Sequence, residues 1–185
     1  MSVAHLDDDE RAMVLGLLLE EVHAWMRTLS GTSALRALVL FDEVYGYLPP
    51  HPANPPTKRP LIALLKQARA FGVGIVVATQ NPMDLDYRAL GNAGLWCVGR
   101  LQTDADRARV VEGLADAGQA GEGLEPVEVS ETIKKLSRGW FVMRDVHRTP
   151  SASLLQARWA LSWLRGPMTR VELRTSVARN LTPAD

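Results

Sequence analysis

An unbroken apolar run, Ala37-Leu38-Val39-Leu40-Phe41, ends in two adjacent carboxylates, Asp42 and Glu43. Neighbouring acids can hold a divalent cation and orient a water molecule, provided the backbone delivers them to one place. A short apolar stretch without alternation suits a strand buried on both faces of a parallel sheet, and ligands gather at the carboxyl ends of such strands. The same pattern also fits a strand running into a solvated turn. A second apolar run, Gly74-Ile75-Val76-Val77-Ala78, ends in Thr79-Gln80-Asn81-Pro82. Strand with acid pair, loop, helix and strand with polar tip make a βαβ unit, with parallel strands and a right-handed crossover. Both polar tips then fall on one edge of the sheet. Asp42, Glu43 and Gln80 on one edge suit nucleoside triphosphate hydrolysis. The Asp would hold Mg²⁺ through water, the Glu would polarise the attacking water, and the Gln would sense the terminal phosphate or help place that water.

The elements that must position these residues follow from spacing. Asp7 to Glu10 form an acidic start that favours a helix N-terminus, and Val14, Leu18, Val22, Trp25 and Leu29 mark one face of a helix from about Asp8 to Leu29. Gly31 is a natural C-terminal cap for it. Ser2 to Leu6 reads as a short strand. The stretch from Val44 to Pro56 contains five prolines, which forbid regular helix or an inner strand; it is an expected exposed loop beside the acidic pair, with one of Tyr45 and Tyr47 packed beneath it. Thr57 can cap the next helix, whose buried stripe is Leu61, Leu64, Leu65 and Ala68 and which ends at Phe71-Gly72. Asp84 to Gly94 suggests a turn and short helix. Further on, Leu95 to Arg100 is an expected strand, Thr103 and Asp106 a capping box, and Ala115 to Gly123 a loop. Ser130 to Leu136 reads as a short helix, Gly139 to Val146 as a strand, and Ser153 to Arg158 as its partner. Thr169 and Glu172 form a second capping box, and Asn180 to Asp185 a loose end.

Leu38 to Glu43, Lys66 to Gly74 and Ile75 to Pro82 together resemble the Walker B strand and sensor strand of the HerA/FtsK group of RecA-like motor ATPases. Leu90-Gly91-Asn92-Ala93-Gly94, Arg100-Leu101-Gln102-Thr103 and Leu164 to Thr169 are similar to HerA-like bacterial ATP-binding proteins in particular. The resemblance implies an α/β fold, a partial RecA-like P-loop NTPase core with a largely parallel sheet flanked by helices and a C-terminal strand and helix extension. The division is residues 1–150 for the core part and 151–185 for the extension. It implies Asp42 for magnesium, Glu43 for water activation, and Thr79 and Gln80 on the ATP phosphates. It also implies a homo-oligomeric ring that acts on DNA as a translocase or helicase, in which an arginine completes the neighbouring subunit's site. Arg69, Arg100 and Arg107 are candidates by position. The departure is equally plain. No G-x-x-x-x-G-K-[ST] loop is present, and none of Lys58, Lys66, Lys134 and Lys135 follows a glycine. The expected partner is therefore a missing N-terminal ATPase half or upstream segment, and the chain alone is expected to lack turnover.

Composition narrows the rest. The chain has 185 residues, 46% of them hydrophobic and 23% charged, which suits a globular domain with a sizeable core. A formal net charge of zero gives no global basic field for nucleic acid, and the basic run Lys134, Lys135, Arg138, Arg144 and Arg148 has a solvated face as its ordinary reading. One cysteine, Cys97, excludes an internal disulfide and points to a reducing, cytoplasmic setting. No apolar run is of membrane-spanning length. Two other functions compete with the motor: a non-catalytic module that binds a partner or ring subunit, and an unrelated metal-dependent hydrolase. The hydrolase would need further ligands, and His5, His23, His51 and His147 are scattered.

Overall fold

The computed structural model describes residues 3, 5–86, 89, 91–116, 126–148, 152–159, 168, 169, 171, 172, 174 and 175. The elements are helix α1 (Asp8–Met26), strand β1 (Thr32–Phe41), helix α2 (Lys58–Gln67), strand β2 (Phe71–Val77), strand β3 (Leu95–Val98), helix α3 (Asp104–Asp116), helix α4 (Pro126–Lys135) and strands β4 (Trp140–Asp145) and β5 (Ala152–Gln156). β1 and β2 form a parallel pair, while β3, β4 and β5 form an antiparallel sheet in that order. Parallel pairing among the described residues is thus confined to the first sheet. No described helix is long and apolar enough to cross a membrane.

The acidic start of α1 is a reciprocal cap. Asp7 Oδ1 accepts from the Glu10 amide at 2.8 Å, and Glu10 Oε2 accepts from the Asp7 amide at 3.1 Å. The buried side of α1 carries Gly16, Leu19 and Met26, so the expected stripe is rotated: Leu18 and Trp25 are 48% and 46% exposed. The reason is Gly16. A Cβ there would lie 2.8 Å from Pro56 Cβ, so the proline loop rests directly on the helix backbone. The helix also stops before Gly31, at Met26, with Arg27 as its right-handed cap residue. Thr28 Oγ1 satisfies the Trp25 carbonyl at 2.7 Å, so no glycine is needed there. His5 and Leu6 lie in a turn closed by Leu6 N to Val3 O; the rest of the expected first strand lies outside the described residues.

β1 and β2 pair from Ala37 opposite Val73 to Phe41 opposite Val77. β2 starts at Phe71, earlier than expected, because Gly72 takes a φ of 73° and passes where a side chain would strike Ala34 O. One face of the pair, with Ala37, Val39, Phe41, Val73, Ile75 and Val77, packs on Leu19, Met26, Leu61 and Leu64 of α1 and α2. The other face is bare, which corrects the expectation of a strand buried on both sides: Leu38 and Leu40 are 60% and 65% exposed.

A separate apolar cluster joins the second sheet to α3 and α4 through Trp96, Val98, Val110, Leu114, Ile133, Leu136 and Val142. The Asp106 amide donates to Thr103 Oγ1 at 3.1 Å, the expected cap of α3. α4 begins at Pro126 rather than Ser130, since proline fits a first helical turn. β5, from the expected extension, is the edge strand beside β4. The Glu172 carboxylate accepts from the Thr169 amide at 2.8 Å, closing the second expected box. Ala115 and Asp116 of the expected small-residue loop belong to the end of α3, while 117–123 and all of 160–167 lie outside the described residues. Cys97 faces away from the cluster, and partial burial pushes its thiol pKa up, which keeps the reactive thiolate scarce at neutral pH.

Candidate functional site

The two strand tips remain clasped beyond the last paired residues. Ala78 N donates to Phe41 O at 3.0 Å, and Val44 N donates to Ala78 O at 2.9 Å. Asp42 and Glu43 are therefore fixed beside Thr79 and Gln80 at the carboxyl rim of the parallel pair. Glu43 adopts a left-handed backbone, with φ at 52°, a conformation that strains an L-residue by about 1–2 kcal/mol. That turn brings its carboxylate back across the rim. Thr79 Oγ1 donates to Glu43 Oε1 at 3.3 Å, and Gln80 Nε2 donates to Glu43 Oε2 at 2.9 Å. The Thr79 hydroxyl in turn accepts from the Asn81 amide at 3.1 Å, which fixes its oxygen.

Asp42 is the opposite case. It is exposed and makes no hydrogen bond or ion pair among the described residues. No group of three or more metal-ligating side chains occurs among the described residues, so a hard cation at this rim would keep most of its waters and meet one carboxylate. Asp42 is the residue that would hold it.

Behind the rim, the proline-rich loop is anchored rather than free. Tyr47 packs on Phe41 with ring centroids 5.4 Å apart, while Tyr45 is 61% exposed. Thr57 does not cap α2 through its side chain; its hydroxyl donates to Tyr47 O at 2.7 Å. Lys58 and Asp86 form an ion pair at 2.9 Å with side chains only 4% and 1% exposed. Lys58 Nζ also donates to Ala53 O, and the Asp86 amide to Leu48 O, each at 2.9 Å. Sequence reasoning misses this clamp, because a lysine in the first turn of a helix reads as solvated and nothing local joins it to Asp86.

The arginines do not gather at the rim. Arg69 precedes β2 and so stands at the amino end of that strand, with the whole length of β2, about 20 Å, between it and the rim; its guanidinium lies 3.0 Å from His147 Nε2. It is therefore no part of this chain's own Asp42 rim. Arg100 follows β3, is exposed, and makes no hydrogen bond or ion pair among the described residues. Arg107 is buried, donates to Leu101 O and Gln102 O at 2.9 Å, and pairs with Asp104. It is a structural residue that ties down the start of α3. The basic run is partly neutralised, with Lys135 on Glu131 and Arg148 on Asp145.

No protein-family model matches the chain, and no curated protein matches it. Solved structures do. The genome packaging NTPase B204 from Sulfolobus turreted icosahedral virus 2, in complex with ATP-gammaS, aligns with a TM-score of 0.51 at 18% identity, covering 66% of this chain and 52% of that one. The same NTPase in complex with AMP aligns with a TM-score of 0.54 at 18% identity, covering 85% of this chain and 65% of that one. The chain thus spans between half and two thirds of that neighbour's length. The likeness is one of fold: helices on two sheets, with a parallel pair carrying polar tips, give this chain part of the α/β fold seen in that NTPase.

Proposed function

We propose that these residues form the metal- and water-handling half of an ATP-hydrolysing site, in a motor of the HerA/FtsK-like kind that acts on DNA. The observation that supports this most is the rim itself: Asp42 uncommitted and Glu43 held by Thr79 and Gln80 at the ends of adjacent parallel strands. Asp42 holds the waters of a magnesium ion, which when bound supplies positive charge against the charge developing on the phosphates. Glu43 accepts a proton from the attacking water. Gln80, whose amide already aims Glu43, helps to place that water or contacts the terminal phosphate. In a ring of subunits, Arg69 or Arg100 is the candidate for the neighbour's site; Arg107, committed to the α3 start, is not. The genome-packaging role of the viral NTPase supports DNA as the polymer moved.

These 185 residues contain no G-x-x-x-x-G-K-[ST] loop, so on this reading the chain alone turns over negligibly. The test is calorimetry with Mg-ATP on this chain beside a polypeptide extended upstream in the same reading frame, with phosphate release followed by malachite green. The extended protein should bind and hydrolyse ATP, and Glu43→Gln should lower its turnover by about 100-fold or more. Magnesium-dependent turnover by the 185-residue chain itself, abolished by Glu43→Gln, would overturn the split. The bare sheet face favours a second reading, a partner-binding module without catalysis; an extended protein that binds ATP but releases no phosphate would support it.

A further inference from the structure

The segments that leave the two strand tips meet a second time. From Gln80 the backbone passes through a single turn, Pro82–Asp84, to Asp86. There the Asp86 amide donates to Leu48 O, in the loop that leaves Glu43, and the Asp86 carboxylate meets Lys58 Nζ, each at 2.9 Å. Lys58 Nζ donates to Ala53 O as well, and the Lys58 amide to Pro55 O at 3.0 Å. Val44 and Leu48 of one segment and Leu85 of the other are buried in one apolar cluster. Glu43 and Gln80 therefore lie on a closed circuit. The strand pair ties it at one end, and Lys58 with Asp86 ties it at the other.

A buried ion pair is a poor source of stability, because lost hydration offsets most of the attraction and an apolar pair of similar volume holds about as well. What it adds is direction. An ammonium carries three donors in a fixed arrangement, and two of them here tie Asp86 and Ala53 to one point. Apolar side chains lose that uniqueness of packing before they lose stability. A directional tie has a use beside Glu43. Its left-handed backbone, at a φ of 52°, persists only where the surroundings over-determine it. Thr79 and Gln80 hold the Glu43 carboxylate from one side, and the Lys58–Asp86 pair holds the segment that follows it. We infer that Lys58 and Asp86 are positioning residues: by fixing the segment leaving Glu43 against the segment leaving Gln80, they keep the Glu43 carboxylate on the Gln80 amide. The catalytic consequence rests on the nucleotide reading above; the positioning of the rim does not.

The experiment replaces the pair by apolar side chains, Lys58→Met with Asp86→Leu, in the 185-residue chain. Nuclear Overhauser intensity between the Gln80 side-chain amide and the Glu43 methylenes reads the contact, and the urea midpoint reads stability. Leu61→Val, at a fully buried position of the same core, is the control for lost stability alone. The double variant should lose about threefold or more of the intensity as the hydrogen bond lengthens, while Leu61→Val keeps it at a lower urea midpoint. Asp86→Asn, which keeps the side chain's shape and gives up its charge, should show the same loss and stands in should the double variant not fold. Parent-level intensity in the folded variants would overturn the proposal. So would an equal loss in Leu61→Val, which makes the rim a follower of overall stability. In the polypeptide extended upstream, the double variant should lower kcat by about tenfold or more with KM unchanged, as misplacement of a reacting group does. A loosened rim in a protein that hydrolyses no ATP retains the positioning and removes the nucleotide reading, whereas an unmoved rim in one that does removes the positioning alone.

Discussion

Glu43 holds the least comfortable backbone conformation among the described non-glycine residues, at a φ of 52°. Glycine adopts that conformation without strain, whereas alanine does not. Since Glu43→Gly and Glu43→Ala both delete the carboxylate and its two hydrogen bonds, the glycine variant should be the more stable by about 1 kcal/mol in urea unfolding. The buried Lys58–Asp86 pair predicts the reverse kind of outcome. Lys58→Met takes the ion-pair partner from a carboxylate at 1% exposure, so it should destabilise by about 3–5 kcal/mol, and Asp86→Leu added to it should restore much of the loss. Both are readable in denaturant midpoints. At this scale the rim is legible in the sequence: acids and a glutamine directly after apolar runs have nowhere to go but strand tips. The clamp is not, because its partners are remote in the chain and neither residue type is ordinarily buried.

Element positions follow from spacing far better than element faces do. β1 and β2 announce themselves as apolar runs, yet the runs do not say that one side would be left open. α1 shows why faces fail. Its apolar residues encircle it, with Met13, Leu17, Leu18 and Trp25 all more than 45% exposed, so periodicity offers several stripes, and Gly16 settles the choice by admitting Pro56. Gly16→Ala gains roughly 1 kcal/mol of helix propensity, but its new Cβ would sit 2.8 Å from Pro56 Cβ and 3.0 Å from Pro56 C. Overpacking of this kind costs about 1–3 kcal/mol. The variant should therefore be less stable than the parent in urea, with the loop around Pro56 more open to proteolysis. Helix ends fail for a related reason: Thr28 closes α1 through its own hydroxyl, so the nearby glycine is not used.

For the molecule as a whole, the two apolar clusters share no residue. Leu19, Met26, Leu61 and Leu64 hold the parallel pair, while Trp96, Ile133 and Val142 hold the antiparallel sheet. Contact between the halves includes Arg69 against His147, a pair on the exposed surface. Heat can therefore take one cluster apart while the other stands. Calorimetry on this chain should show two overlapping transitions, with a van't Hoff enthalpy below the measured one, and Ile133→Ala should move only one of them. A polypeptide built this way has no single melting temperature, and a substitution that firms one half says nothing about the survival of the other.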